Sequence, residues 1–262
     1  MNGVHGIIFS YEKSNGLREL TEPRIHGSVP FGGSYRMVDF ILSDMVNAGI
    51  RDVGVIMHGK CQSMMDHLRS GKSWDLSRSF GGLTLLPVFA YNSARGNGRF
   101  RGKLEALDVV KDYLRHIRQD YVLLADSDVA LNIDLKAVLE SHIKAGADIT
   151  VVCAPSTGDG LYLNLDETGR VMEAVEEQRQ GLRCLQIFLL RTELGFWDTL
   201  CREKMPASKF LVQPDAMVFE ELVNASSLPC FTTDYVRLRD YPNRVNIPLS
   251  DEESHVTFYL AK

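Results

Sequence analysis

Asp126 and Asp128 lie one residue apart in the run Leu123-Leu124-Ala125-Asp126-Ser127-Asp128, and they are the first feature of the chain that could do chemistry. Carboxylates at the end of a buried strand can hold a hard divalent cation against the phosphates of a nucleotide. The plainer reading is that Asp and Ser cap an ordinary loop. A second junction, Ser10 to Leu20, lies between a strand and a helical pattern, where loop and helix amides meet a phosphate in α/β sheets. It reads S-Y-E-K-S-N-G-L-R-E-L. Its one glycine is Gly16, and Glu12 and Glu19 bring like charge, so it suits close approach by a phosphate poorly. A third block, Pro30 to Ile50, contains Gly32-Gly33, which permit a tight turn. Arg36 and Asp39 follow, three residues apart, a spacing that lets them pair on a helix.

The elements that must position these residues can be read from periodicity. Short β-rich apolar runs at Val4–Phe9, Asp52–Met57, Thr84–Phe89, Tyr121–Ala125, Ile149–Ala154 and Cys184–Leu190 predict strands. Apolar residues spaced three and four apart predict helices over Met37–Ala48, Lys103–Ile117 and Leu135–Ala145. Gly49 and Gly146 stand where helix C-caps belong. The alternation argues for βα units around a mainly parallel sheet. Loops are expected at Asn92–Gly98 and Ser156–Gly160. One α/β domain is expected over residues 1–240, with a divergent tail over 241–262 that carries Pro242, Pro248 and an acidic run at Asp251–Glu253.

Composition narrows the class. At 262 residues a chain buries roughly three quarters of its unfolded surface, and 45% hydrophobic with 24% charged residues is ordinary for a globular protein. A net charge of -5 leaves no basic footprint, which argues against nucleic acid and anionic membrane as main partners. The five cysteines are widely spaced, with no C-x-x-C pair, and predict reduced thiols rather than disulfides or a zinc site. With neither a leader nor a membrane-length apolar run in the sequence, the expected location is cytoplasmic.

The block Gly32-Gly33-Ser34-Tyr35-Arg36-Met37-Val38-Asp39-Phe40-Ile41-Leu42-Ser43, continuing to Asn47-Ala48-Gly49-Ile50, resembles the G-G-x-Y-R-x-x-D-F-x-L-S-x-x-x-N-x-G-I signature of the ADP-glucose pyrophosphorylases (glucose-1-phosphate adenylyltransferases). The resemblance runs from Gly6 through Leu20-Thr21, Arg24, Val29-Pro30, Phe100-Arg101-Gly102 and Asn132-Ile133-Asp134 to Val175-Glu176, and fades beyond residues 200 to 240. It implies a Rossmann-like, mostly parallel sheet flanked by helices, of the nucleotide-diphospho-sugar transferase type. It also implies attack of a sugar phosphate on the α-phosphate of ATP, with Mg²⁺ held by two aspartates. A cleft lined by Gly16, Arg18, Gly102, Lys103, Asp126 and Asp128 is expected, with Asp128 matching the first metal aspartate. The second metal position lands near Leu238, after Arg237. The family's C-terminal left-handed β-helix finds no hexapeptide periodicity here, so its absence is expected.

Residue by residue, the same resemblance removes the cations that the reaction needs. Gly16 stands where active members carry the catalytic arginine. His26 stands at a family lysine, and Glu177 reverses the charge of the sugar-phosphate lysine. Three lost charge-assisted contacts amount to about 4.5–9 kcal/mol, or roughly a 10³- to 10⁶-fold loss of rate. That pattern is similar to the GlgD-type subunits of glycogen biosynthesis, and it implies a non-catalytic or weakly catalytic subunit that modulates a catalytic homologue in a hetero-oligomer. Mg²⁺, ATP, glucose 1-phosphate and ADP-glucose are then at most weak ligands. Two rivals remain open: an active sugar-nucleotide enzyme, either the pyrophosphorylase or a metal-dependent glycosyltransferase, and a pure interaction module.

Overall fold

The computed structural model describes residues 3–11, 17–78, 81–88, 100, 103–131, 133–147, 149–167, 169, 171–175 and 179–192, together with two short strands at 230–232 and 236–237. At its centre is β1 (Val4–Tyr11), buried along its whole length. Its apolar centre, Ile7-Ile8-Phe9, suits a strand covered on both faces. On one side β1 pairs in parallel with β4 (Asp52–His58), and β4 with β5 (Gly82–Val88). On the other side it pairs in parallel with β6 (Tyr121–Asp126). Beyond β6 the sheet turns antiparallel: β11 (Gln180–Arg191) pairs with β6, with β8 (Ile149–Thr157) and with β9 (Tyr162–Leu165). β10 (Val171–Val175) pairs with β9, and β12 (Cys230–Thr232) runs parallel to β8. The parallel half and the helices at Met37–Asn47 and Leu135–Ala145 are as the sequence predicts, whereas the helix at Gln62–Leu68 is not foreseen. The antiparallel half adds β9 and β10, which the periodicity does not reveal.

Alternation along the strands divides the core into two layers. Ile8, Val53, Val55, Leu123 and Ala125 face α1 (Met37–Asn47), α2 (Gln62–Leu68) and α5 (Leu135–Ala145). Ile7, Phe9, Ile56, Val122 and Leu124 face α3 (Lys103–Val109) and α4 (Lys111–Leu114). Helix α1 packs close enough to β1 that a Cβ on Gly6 would stand 2.8 Å from Met45 Sδ. The Gly32-Gly33 pair, at φ +59° and +91°, turns a small hairpin of β2 (Pro30–Phe31) and β3 (Tyr35–Arg36) that delivers the chain into α1. Asp134 caps α5 by accepting from the Lys136 and Ala137 amides, and Gly146 closes it at φ +60°. β7 (Val129–Ala130) pairs with β13 (Val236–Arg237).

Several expectations are corrected. The helix over Lys103–Ile117 breaks at Val110 (φ -104°, ψ 19°), the second of two successive β-branched valines that helices accommodate poorly. Ser156 and Thr157 belong to β8 rather than to a loop, because β11 is long enough to pair with them. Arg36 and Asp39 do not pair through side chains: Asp39 accepts the Arg36 amide at 2.9 Å, and the guanidinium reaches Ser63 instead. Cys61 and Cys184 are buried and take no part in a disulfide, but Cys153 carries one. Sequence spacing alone does not show which strands lie side by side, and Cys153 sits in β8 between β11 and β12. The expected loop Asn92–Gly98, Phe89 and the tail 241–262 lie outside the described residues. No helix among the described residues is long and apolar enough to cross a membrane.

Candidate active site

The carboxyl ends of β1 and β6 lie side by side, with Phe9 in register with Asp126. In open α/β sheets this edge is where ligands bind. Alternation sends Asp126 to the α3 face and Ser127 to the α1 face, so the two sides of the edge have different chemistry.

On the α3 face, Lys103 opens its helix directly beneath the edge. Its ammonium stands 3.1 Å from Asp126 Oδ1 and 3.3 Å from Oδ2, and it also donates to Gln186 Oε1. Both residues are sealed, at 2% and 1% exposure. The rings of Phe9 and Phe188 cover the ammonium, their centroids 5.6 and 5.8 Å away. A charge buried this deep is costly unless it is paired and hydrogen-bonded, and the two ring faces add cation–π attraction. Gln186 reaches it because β11 bulges between Cys184 and Ile187, leaving Gln186 at φ +61°. Lys103 and Asp126 are thus brought together as a cleft reading expects, but they are neutralised inside the core.

On the α1 face the turn His26–Ser28 presses against the strand ends. Ser127 Oγ donates to Ser10 Oγ at 2.8 Å. A Cβ on Gly27 would stand 2.2 Å from Ser127 Oγ and 2.7 Å from Ser10 Oγ, so only glycine lets the turn close this far. His26, where the resemblance places a family lysine, is buried within that turn. Asp128 follows Ser127 and is half-buried. Arg237 pairs with Val129, the neighbour of Asp128. Arg18 lies in a single 3-10 turn, Arg18–Leu20. Leu238, Gly16, Gly102 and Glu177 lie outside the described residues, as does the side chain of Arg18.

Gln186, Phe9 and Phe188 are missed by sequence reasoning about the site. Gln186 does leave a trace, since it is the one polar residue within the apolar run Cys184–Leu190. The partnership of Phe9 and Phe188 depends on strand order, which no local pattern encodes.

The model of the nucleotidyl transferase family matches residues 6–171. The glycogen biosynthesis protein GlgD of Geobacillus stearothermophilus is 35% identical over 180 residues, covering 68% of this chain and 51% of that protein. GlgD of Bacillus subtilis is 37% identical over 163 residues, 62% of this chain and 46% of that protein. The glucose-1-phosphate adenylyltransferase of Pseudothermotoga lettingae is 35% identical over 153 residues, 58% of this chain and 36% of that protein. The chain therefore spans about half the length of the GlgD proteins it matches. A Bacillus anthracis crystal structure described as a glucose-1-phosphate thymidylyltransferase superposes with a TM-score of 0.70 at 14% identity, covering 96% of this chain and 99% of that one, which shows the shared fold. With the family model covering well over half of its residues, the chain belongs to the nucleotidyl transferase family, and GlgD proteins and glucose-1-phosphate adenylyltransferases are among its homologues.

Proposed function

We propose that this chain is the nucleotidyl transferase part of a GlgD-type subunit of glycogen biosynthesis, with little or no turnover of its own, that modulates a catalytic glucose-1-phosphate adenylyltransferase in a hetero-oligomer. The observation that carries the reading is the buried Lys103–Asp126 pair. Transfer of an adenylyl group needs cations aimed at the triphosphate. Here a cation at the carboxyl edge is spent on a carboxylate beneath two phenyl rings, while Gly16, His26 and Glu177 replace three more. A resident Mg²⁺ fits the residues poorly. Lys103 holds the carboxylate of Asp126, Asp128 is the remaining member of the pair, and no cluster of three or more potential ligands occurs among the described residues. ATP, glucose 1-phosphate and ADP-glucose are then weak ligands, and the fold is kept for its effect on a partner, which requires differential contact with two states of that partner.

The test is pyrophosphate release from ATP, glucose 1-phosphate and Mg²⁺, by the chain alone and mixed with a catalytic homologue. No turnover alone, with a changed KM or kcat in the mixture, is the expected result. Turnover alone within about tenfold of the homologue would return the chain to the active enzymes, a reading favoured by the placement of Arg237 beside Val129. Unchanged kinetics and no complex would remove the modulating role.

A further inference from the structure

A cavity of about 650 Å³ opens on the α1 face of the sheet, between α1, α2 and the loop Lys72–Asp75. Its volume is in the range of about 300–1,000 Å³ usual for small-molecule sites. We propose that this cavity binds a neutral saccharide, at a place separate from the strand-end edge.

Three observations carry the proposal. The first is the set of surfaces offered. Tyr35 is 60% exposed at the rim, Trp74 forms a wall, and the His67 ring stands edge-on to Trp74 with centroids 5.9 Å apart. Sugar rings present flat C–H faces, which pack on aromatic rings, and a rim of hydroxyls, which need polar partners. Ser43, Asn47 and Ser73 supply those partners in the same cavity. Ser43 Oγ accepts from Trp74 Nε1 at 3.3 Å, fixing the indole.

The second observation is the His67–Asp39 pair, 2.7 Å between Nε2 and Oδ1. Asp39 also accepts the Arg36 amide, so the carboxylate is anchored at the start of α1 and in turn orients the imidazole. A donor or acceptor held in one direction is what polar ligand recognition needs. The charges on the wall are of both signs, Lys72 against Asp39 and Asp75, and the Arg36 guanidinium is turned away to Ser63. That balance suits a neutral ligand better than a phosphate.

Backbone strain in the loop is the third observation. Arg69 (φ 47°, ψ -121°) and Asp75 (φ 56°, ψ 32°) are two of the three non-glycine residues with positive φ among the described residues, and they flank the segment that forms the wall. Strain of that kind persists where the surrounding structure over-determines it, and it clusters at ligand sites.

The chain has two tryptophans, so Trp197→Phe leaves Trp74 as the only indole, read by excitation at the red edge where tyrosine does not absorb. In that background, titration with maltotetraose should give a saturable change in Trp74 fluorescence, with a dissociation constant on the order of 1 mM. Tyr35→Ala and Asn47→Ala, both at exposed positions, should each weaken binding by roughly tenfold without moving the urea midpoint. Inorganic phosphate should neither saturate the signal nor compete. Any of three results would overturn the proposal: no saturable binding by fluorescence and calorimetry, binding unchanged in both variants, or a signal that follows protein concentration because two chains close the cavity on each other.

Discussion

The two faces of the central sheet each carry a carboxylate held by a side-chain nitrogen, and the pairs are handled in opposite ways. Lys103–Asp126 lies on the α3 face at 3% and 1% side-chain exposure, under two rings. His67–Asp39 lies on the α1 face at 21% and 8%, at the wall of an open cavity. A pair sealed from water is locked by the cost of uncovering either charge. A pair with one edge wet can exchange protein contacts for ligand contacts at small cost. The comparison supports the proposed reading, in which the strand-end edge is structural and recognition falls to the other face.

The sharpest way to break this contrast is to remove one member of the sealed pair. Lys103→Met should destabilise the chain by about 3–5 kcal/mol, because it strands the Asp126 carboxylate in the core. Lys103→Met with Asp126→Val should recover most of that loss, since an apolar pair of similar shape needs no compensation. Urea unfolding of the three chains checks this. A single-variant cost under about 1 kcal/mol would mean that water reaches the site and that the edge is still an open cleft.

The next largest effect concerns how tightly that edge is closed from the α1 side. Gly27→Ala places a methyl group 2.2 Å from Ser127 Oγ, and overpacking of this kind costs about 1–3 kcal/mol. If the His26–Ser28 turn instead moves aside freely, the melting temperature will hardly change and the edge is less closed than the geometry implies.

These two positions also show what was legible in the sequence. The signature from Gly32 to Ile50 could be read because its residues act locally: two glycines make a turn and α1 buries one stripe, although Asp39 takes the Arg36 amide rather than the guanidinium that the spacing suggests. The same holds for Asp134 and Gly146, which cap α5 at both ends. Lys103–Asp126 was visible only as two members of an expected cleft. Nothing in either segment says that the lysine lies under Phe9 and Phe188, because that depends on β11 inserting antiparallel beside β6 and on a bulge that turns Gln186 inward. The Cys153 disulfide was misread for the same reason. The cavity lined by Trp74 and His67 was not anticipated, since its residues come from three separate segments and none forms a motif alone.

The faces should also differ in how they respond to pH. His5, on β1, donates or accepts at 2.9 Å with the Tyr113 hydroxyl, and burial lowers its pKa from 6.5 to about 4. Asp44, on α1, is pushed from 3.8 up to about 8 by burial, offset in part by the Ile133 amide, and its Oδ2 has no hydrogen-bond partner among the described residues. The depressed histidine contributes stability above pH 6.5 that is lost as pH falls towards 4. The raised carboxyl contributes stability below pH 3.8 that is lost as pH rises towards 8. The two slopes oppose each other between pH 4 and 6.5, and above 6.5 only Asp44 acts. Stability should then decline by about 1.4 kcal/mol per pH unit from pH 6.5 to 8. Asp44→Asn should flatten that decline and expose the histidine slope below it. A chain whose decline above pH 6.5 is the same with Asn at position 44 would remove Asp44 as its cause.

The smallest expected effect is the one that most directly tests the wet pair. His67→Asn removes the imidazole from Asp39 but leaves the carboxylate its Arg36 amide and access to water through the cavity. The asparagine amide is too short to restore the 2.7 Å contact, so the loss is close to that of one partly exposed hydrogen bond, about 1 kcal/mol. That is a third or less of the cost predicted for Lys103→Met, although the two pairs have similar lengths of 2.7 and 3.1 Å. The difference comes from hydration of what remains: a stranded carboxylate beside a cavity is resolvated, and one beneath two rings is not. Parallel urea unfolding of His67→Asn and Lys103→Met measures the ratio. Equal costs would show that the cavity wall is as dry as the core, and the α1 face would then lose its claim to be the one that exchanges contacts with a ligand.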